Sequence, residues 1–363
     1  MKRPAVLLLG PSRDAISGVT THVNALLESS LAGEFALEHF QVGSEGRAEG
    51  AAARWLRLAA SPFALAAAVL RRNVAVVHLN TSLNAKAWWR DLVYLVVAKA
   101  CGARVVLQVH GGALDRFVVV LRAALRWPDA VVVISRRERD SWRRLVPGQN
   151  VALLPNGIDC APYLKHGRSA ARADEPLRLV YVGRLAAAKG LTETIEALAL
   201  ARSEGVAARL VIAGSGPEEA GLRATVRDLG LEDEVRFAGP TTGEEKALLL
   251  SQADVLCLPS YSEGMPYALL EAMAAGVVPV VTPVGGIPDV VHDGVHGAFV
   301  PVRDCDALAQ AIGALARDRA ALARMSAACR QRVAGAYSIE RVAADFASLY
   351  SSLSTPREMT WAP

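Results

Sequence analysis

The sequence lacks most of what marks a secreted, membrane-spanning or metal-binding chain. Five scattered cysteines with no C-x-x-C pair exclude a disulfide framework and a cysteine zinc site. A reducing cytoplasm is the simplest setting. No uncharged apolar run is long enough to cross a bilayer. The Ala/Leu-rich run Leu58 to Leu70, between Arg57 and Arg71, holds 13 residues, against roughly 20 for a span. The opening Met-Lys-Arg-Pro and AVLLLG carry no signal-peptide cleavage pattern. G-x-x-x-x-G-K-[ST] is missing, which argues against a P-loop NTPase. G-x-S-x-G is missing too, and with it the hydrolase nucleophile elbow. Short repeats and low-complexity tracts are absent. Lysine is scarce: six against 34 arginines.

What is present is a chain of 363 residues, 52% hydrophobic and 21% charged, which suits about two domains with large cores. Residues 1–168 hold 22 Lys+Arg and 12 Asp+Glu, a net of +10; residues 169–363 hold 18 and 24, a net of −6. A basic first half fits an anionic partner, either a membrane surface or a phosphorylated acceptor. It also fits an uneven scatter of surface arginine. A nucleic-acid partner is not expected.

Apolar runs alternate with helical patterns along both halves. In the first half, Ala5–Gly10, 74–79, 104–109, 130–134 and 151–154 read as strands. Residues 54–72 read as an Ala/Leu-rich helix with basic ends, broken or restarted at Pro62, that either lies on an anionic membrane or packs on the sheet. Asn80-Thr81-Ser82 and His110-Gly111-Gly112 stand at strand ends, where a doubly wound sheet binds ligands. Gly18, in the loop after the first strand, could let a phosphate approach the backbone. Residues 161–175 loosen into a linker, and the alternation restarts at 177.

The densest stretch is 259–276, PSYSEGMPYALLEAMAAG, between the apolar runs 254–258 and 277–281. It reads as strand, loop, helix, strand, with Pro266 at the first helical position and Gly276 at the stop. Glu263 lies in the loop and Glu271 in the helix. A helix N-terminus above a parallel sheet favours an anion, and two carboxylates suit sugar hydroxyls. Arg184 and Lys189 follow a strand in a glycine-flanked loop, where both can reach one diphosphate. Gly214-Ser215-Gly216 resembles part of a dinucleotide fingerprint, but position 219 is Glu, so an NAD reading fails. Asp304-Cys305-Asp306 has metal-binding spacing but sits where Asp caps a helix. His292 and His296 flank an Asp-Gly turn and need not share a face.

Taken together these residues resemble the retaining, two-Rossmann-domain (GT-B) glycosyltransferases of the group 1, or family 4, class. The resemblance covers nearly the whole chain. It rests first on E-x7-E, here Glu263 to Glu271, then on V-G-R-L…K-G at 182–190 and A-G-S-G-P at 213–217. V-R-F-A-G at 235–239, T-P-V-G-G-I-P-D-V-V at 282–291 and P-N-G-I-D at 155–159 add to it. It implies an α/β fold of two Rossmann-like doubly wound domains facing a central cleft. Residues 1–168 would be the acceptor side and 169–338 the nucleotide-sugar side, with the helix of about 339–363 packing back on the first. It further implies that Arg184 and Lys189 hold the donor diphosphate and that Glu271 binds the ribose hydroxyls. Glu263 would meet the donor sugar beside the backbone of Gly264 and Met265. His110 would sit at the reacting carbon, Gly18 would close over the phosphates, and the base would lie near Gly214, Gly216 and Phe237. The family's first-loop glycine pair is Ser17-Gly18 here. The expected partners are a UDP- or GDP-sugar donor, a glycan or lipid-linked acceptor, and an anionic membrane touched peripherally at its inner face. No metal or other cofactor is required. The competing readings are a nucleotide-sugar 2-epimerase and a non-catalytic glycan-binding relative.

Overall fold

The structure is a computed structural model that describes residues 3–15, 17–43, 50–81, 85–111, 123–166 and 175–354. Ser82, Gly112, positions 167–174 of the expected linker and the tail from 355 lie outside the described residues. The chain divides into two units, Met1–Gly157 with Ile339–Pro363, and Ile158–Ser338. The division falls at Gly157, not at the 168 read from the sequence.

The first unit is built on β1 (Ala5–Gly10), β2 (Ala36–Gln41), β3 (Val74–Thr81), β4 (Arg104–Val109), β5 (Ala130–Val133) and β6 (Val151–Leu153). They form one sheet in the order β2-β1-β3-β4-β5-β6, and every pairing is parallel. A parallel sheet is covered on both faces, which is why its strands read as near-continuous apolar runs. Leu7 and Leu9 of β1 face one core, with Leu65 and Val69 from the helix Ala51–Arg72 and Tyr94 and Leu95 from the helix Ala85–Ala100. Val6 and Leu8 face the other, with Val23 and Leu26 of the helix Gly18–Glu28. The last helix, Ile339–Ser354, closes that face with Val342, Phe346 and Tyr350. Ala51–Arg72 runs unbroken through Pro62, contrary to the break read from the sequence. Of the adjacent tryptophans, Trp88 is buried and Trp89 exposed.

The second unit repeats the plan with β7 (Leu177–Val182), β8 (Ala208–Ala213), β9 (Val235–Gly239), β10 (Val255–Leu258), β11 (Val278–Val281) and β12 (Ala298–Phe299). Their order is β12-β11-β10-β7-β8-β9, again all parallel. Residues 161–165, read as linker, form a short helix against the helices Gly243–Ser251 and Tyr267–Ala275 of this unit. Asp304 does cap its helix, its carboxylate accepting from the Ala307 N–H at 2.8 Å. The His292 N–H donates to His296 Nδ1 at 3.0 Å, so this pair is tied up in a turn.

Candidate functional site

In each sheet the strand order reverses at one place, and in a doubly wound sheet ligands bind at the carboxyl ends of the strands there. In the second unit that place is between β7 and β10. The loop after β7 carries Arg184 and Lys189; the loop after β10 carries Glu263, Gly264 and Met265. The two loops are bound to each other through their backbones. The Tyr261 N–H donates to Ala188 O at 2.9 Å. Gly190, with φ 69°, lies so close to the Pro259 carbonyl that any side chain there would collide with it. From the other flank, the Gly286 N–H donates to Gly264 O at 2.6 Å, and a side chain at Gly285 would strike the Glu263 carbonyl.

This clamp sets Lys189 Nζ 2.6 Å from Glu263 Oε1, which also accepts from Ser260 Oγ at 2.8 Å. Glu263 is largely buried, so its charge is met by an ammonium and a hydroxyl together. Lys189 has three donors and spends one here. Arg184 is exposed and makes no ion pair among the described residues. Its own carbonyl accepts from the buried Tyr181 hydroxyl at 2.7 Å, which fixes the backbone under a side chain open to solvent.

Glu271 faces a different partner. It is buried in the helix Tyr267–Ala275, with Lys246 Nζ of the helix Gly243–Ser251 at 2.6 Å from its Oε1. The Tyr163 hydroxyl also hydrogen-bonds it; burial first, then this carboxylate, push that phenol's titration up. The neighbouring Tyr267 hydroxyl is buried without a hydrogen-bond partner among the described residues. The sequence reading missed Lys246 and took Tyr163 for linker. The scarcity of lysine was the available signal for Lys246. Pro266 proves to be the helix cap, one place before the first helical residue, and no side chain caps this N-terminus.

Gly214 and Gly216 follow β8, and both lie against the β7 loop. A side chain at Gly214 would meet the Gly183 carbonyl, and one at Gly216 the Leu185 carbonyl. Their identity is thus required by loop-to-loop packing, a role the fingerprint reading did not contain. Phe237, on the edge strand β9, is half-buried, with the Arg223 guanidinium 4.1 Å from its ring centre.

In the first unit the reversal is between β1 and β3. Asn80, near the end of β3, donates from Nδ2 to Leu9 O at 2.9 Å. Its Oδ1 therefore points the other way and accepts from His110 Nε2 at 2.7 Å. The neutral His110 ring so carries its proton on Nε2 and leaves Nδ1 as a lone pair. Burial first, then His22 and His78, hold His110 well below the usual histidine range. Burial likewise lowers His22 to about 4 and, with His22 beside it, His78 to about 3. His22 and His110 stand edge to face at 4.9 Å, and His78 Nδ1 pairs with the Tyr350 hydroxyl at 2.6 Å. Gly18 is the first helical residue of Gly18–Glu28, exposed, with the Ser17 hydroxyl capping the helix from Thr20 N.

The predicted residues thus fall into two groups by unit. Arg184, Lys189, Glu263, Gly264, Met265, Gly214 and Gly216 gather on the β7, β8 and β10 loops, with Glu271 and Phe237 on flanking elements. His110 and Gly18 belong to the other unit.

Two family models match the chain: "Glycosyltransferase Family 4" over residues 18–162 and "Glycosyl transferases group 1" over residues 165–332. Among curated proteins, WcaL of Salmonella typhimurium, assigned to colanic acid biosynthesis as a glycosyltransferase, is 34% identical over 57% of this chain and 52% of its own. The chain thus matches about half the length of that relative. Among solved structures, sucrose-phosphate synthase from Thermosynechococcus elongatus superposes with a TM-score of 0.77 at 22% identity, covering 97% of this chain and 99% of that one. HepE from Anabaena, solved with UDP-glucose, gives 0.73 at 17% identity over 96% and 99%. Two parallel six-stranded sheets, the two family matches and these neighbours agree: the chain belongs to the group 1 glycosyltransferases of the two-domain GT-B type.

Proposed function

We propose that the chain transfers a hexose from a nucleotide diphosphate sugar to an acceptor hydroxyl with retention of anomeric configuration. The observation that carries the reading is the clamp at the second sheet's switch point, where Lys189 is paired with a carboxylate already held in place and Arg184 stands exposed on the same loop. As the bond from the anomeric carbon to the diphosphate oxygen breaks, negative charge grows on the leaving group. Arg184 and the remaining donors of Lys189 stabilise it. The acceptor oxygen bonds to the same face of that carbon, and its proton passes to the departing diphosphate. Glu263, paired with Lys189 and Ser260, reads a sugar hydroxyl and needs no role as nucleophile. Glu271, fixed by Lys246 and Tyr163, reads the ribose. The lone pair of His110 at Nδ1 accepts from a donor-sugar hydroxyl. The reading needs no divalent metal.

That HepE is solved with UDP-glucose supports a nucleotide-sugar donor. The name of WcaL supports a bacterial polysaccharide product, and the basic first half supports a glycan or lipid-linked acceptor used at the inner face of the membrane. The test is a thermal-stabilisation screen of UDP- and GDP-sugars, followed by proton NMR of the product formed with a hydroxyl acceptor. An α-linked product from an α-linked donor is expected. An inverted product, or an epimerised donor formed without any acceptor, contradicts the reading.

A further inference from the structure

We propose that the first unit docks on an anionic lipid surface through the outward faces of two neighbouring helices, Ala51–Arg72 and Ala85–Ala100. The inference deepens the lipid-acceptor reading above and rests on it for its purpose. Its evidence is separate. Ala51–Arg72 has two apolar faces, and the sheet uses one. Leu65 and Val69 are in the core at 0% and 2% exposure. Leu56, Phe63 and Leu70, seven residues apart, form a second stripe at 73%, 78% and 65%. Trp55 is as exposed as Leu56. On Ala85–Ala100, Trp89, Val93 and Val96 also share one face and are also exposed. Seven of the fourteen large exposed hydrophobics among the described residues lie on these two helices, a concentration that singly scattered surface residues do not produce.

Charge selects the occupant. Residues 51–100 contain seven Lys or Arg and one acid, Asp91. Arg72, Arg90 and Lys99 are paired, with Glu38, Asp91 and Asp129. Arg54 and Arg57 bracket Trp55 and Leu56, and Arg71 follows Leu70, so cations stand at both ends of the apolar stripe. An apolar stripe with basic ends on a helix about 33 Å long is the pattern that lies in a headgroup layer. By length and composition Ala52–Arg72 could also cross a bilayer. Leu65 and Val69 are committed to the sheet, so the helix lies on the surface.

The test is co-sedimentation of the full chain with phosphatidylglycerol/phosphatidylcholine vesicles and with phosphatidylcholine alone. Binding is expected only to the anionic vesicles and is lost at high salt. The double variant Leu56→Ser, Phe63→Ser weakens it about tenfold or more. Both positions are exposed, so melting temperature and nucleotide-diphosphate affinity by calorimetry stay unchanged. Equal pelleting of variant and wild type, or no pelleting of wild type, overturns the proposal. So does a wild-type dimer in sedimentation velocity that the double variant makes monomeric, since a second copy then covers the face. If the vesicles bind and nucleotides do not, the donor reading fails and the surface stands.

Discussion

The two units solve the same topological problem with opposite electrostatics. Each parallel sheet reverses its strand order once, and each reversal is lined by polar side chains. In the first unit these are the amide of Asn80, and His110 with the histidines behind it, whose rings burial holds neutral. In the second they are ions: Lys189 on Glu263, Lys246 on Glu271, and an exposed Arg184. A neutral crevice suits hydroxyls, which need fixed donors and acceptors. A charged one suits a diphosphate, whose desolvation must be matched by cations. The difference separates two proposed roles, each a property of its own unit: leaving-group charge for the second, hydroxyl binding for the first.

The sharpest way to break this division is Lys189→Met. If the ammonium carries leaving-group charge, kcat/KM falls about 100- to 1000-fold with near-normal melting; a tenfold or smaller loss in steady-state kinetics would move that charge elsewhere. Next is His110→Ala. The expected loss is about tenfold to hundredfold in kcat, with nucleotide-diphosphate affinity by calorimetry unchanged. A matching loss of nucleotide affinity would place the diphosphate against the first unit as well.

The neutral cluster also sets a pH dependence. His22 and His78 titrate at about 4 and about 3 in the folded chain, against 6.5 as the ordinary value. Below pH 6.5 the unfolded chain takes up protons that the folded chain refuses. The stability is therefore whole above pH 6.5 and drains as pH falls toward those lower values, by up to about 1.4 kcal/mol per pH unit for each ring. Thermal melts from pH 7.5 to 5 should show it, and His22→Phe should flatten the fall. A curve of unchanged slope would mean the cluster is hydrated. The smallest effect expected is Asp304→Ala, which removes a helix cap in the second unit for about 1 kcal/mol and leaves donor kinetics alone.

Much of this was legible in the sequence, and the reason is locality. Strands buried on both faces read as apolar runs, and the loops at their ends were read as ligand loops, which put His110, Arg184 and Glu263 just beyond strand ends, where the fold has them. The half-buried edge strand β2, ALEHFQ, has no such run and was missed. Ala51–Arg72 continues through Pro62 although proline removes an interior hydrogen bond; nothing local announced that tolerance. Lys246 and Glu271 are 25 residues apart on separate helices, so only the fold joins them. Gly214 and Gly216 read as part of a dinucleotide fingerprint, but the reason for glycine is a carbonyl on the neighbouring loop. The unit boundary shifted to Gly157 because Tyr163 and its short helix belong with Glu271.

The most direct measurement is calorimetric titration of the intact chain with the nucleoside diphosphate selected by the sugar screen, on wild type and Glu271→Gln, with inorganic diphosphate as the comparison ligand. Glu271→Gln keeps shape and hydrogen bonding to Lys246 while removing the charge. The nucleoside diphosphate should bind about tenfold more weakly to the variant, and inorganic diphosphate should bind both alike. Equal affinity of the nucleoside diphosphate for the two proteins would contradict a ribose contact at Glu271, and with it the placement of the donor in the second unit.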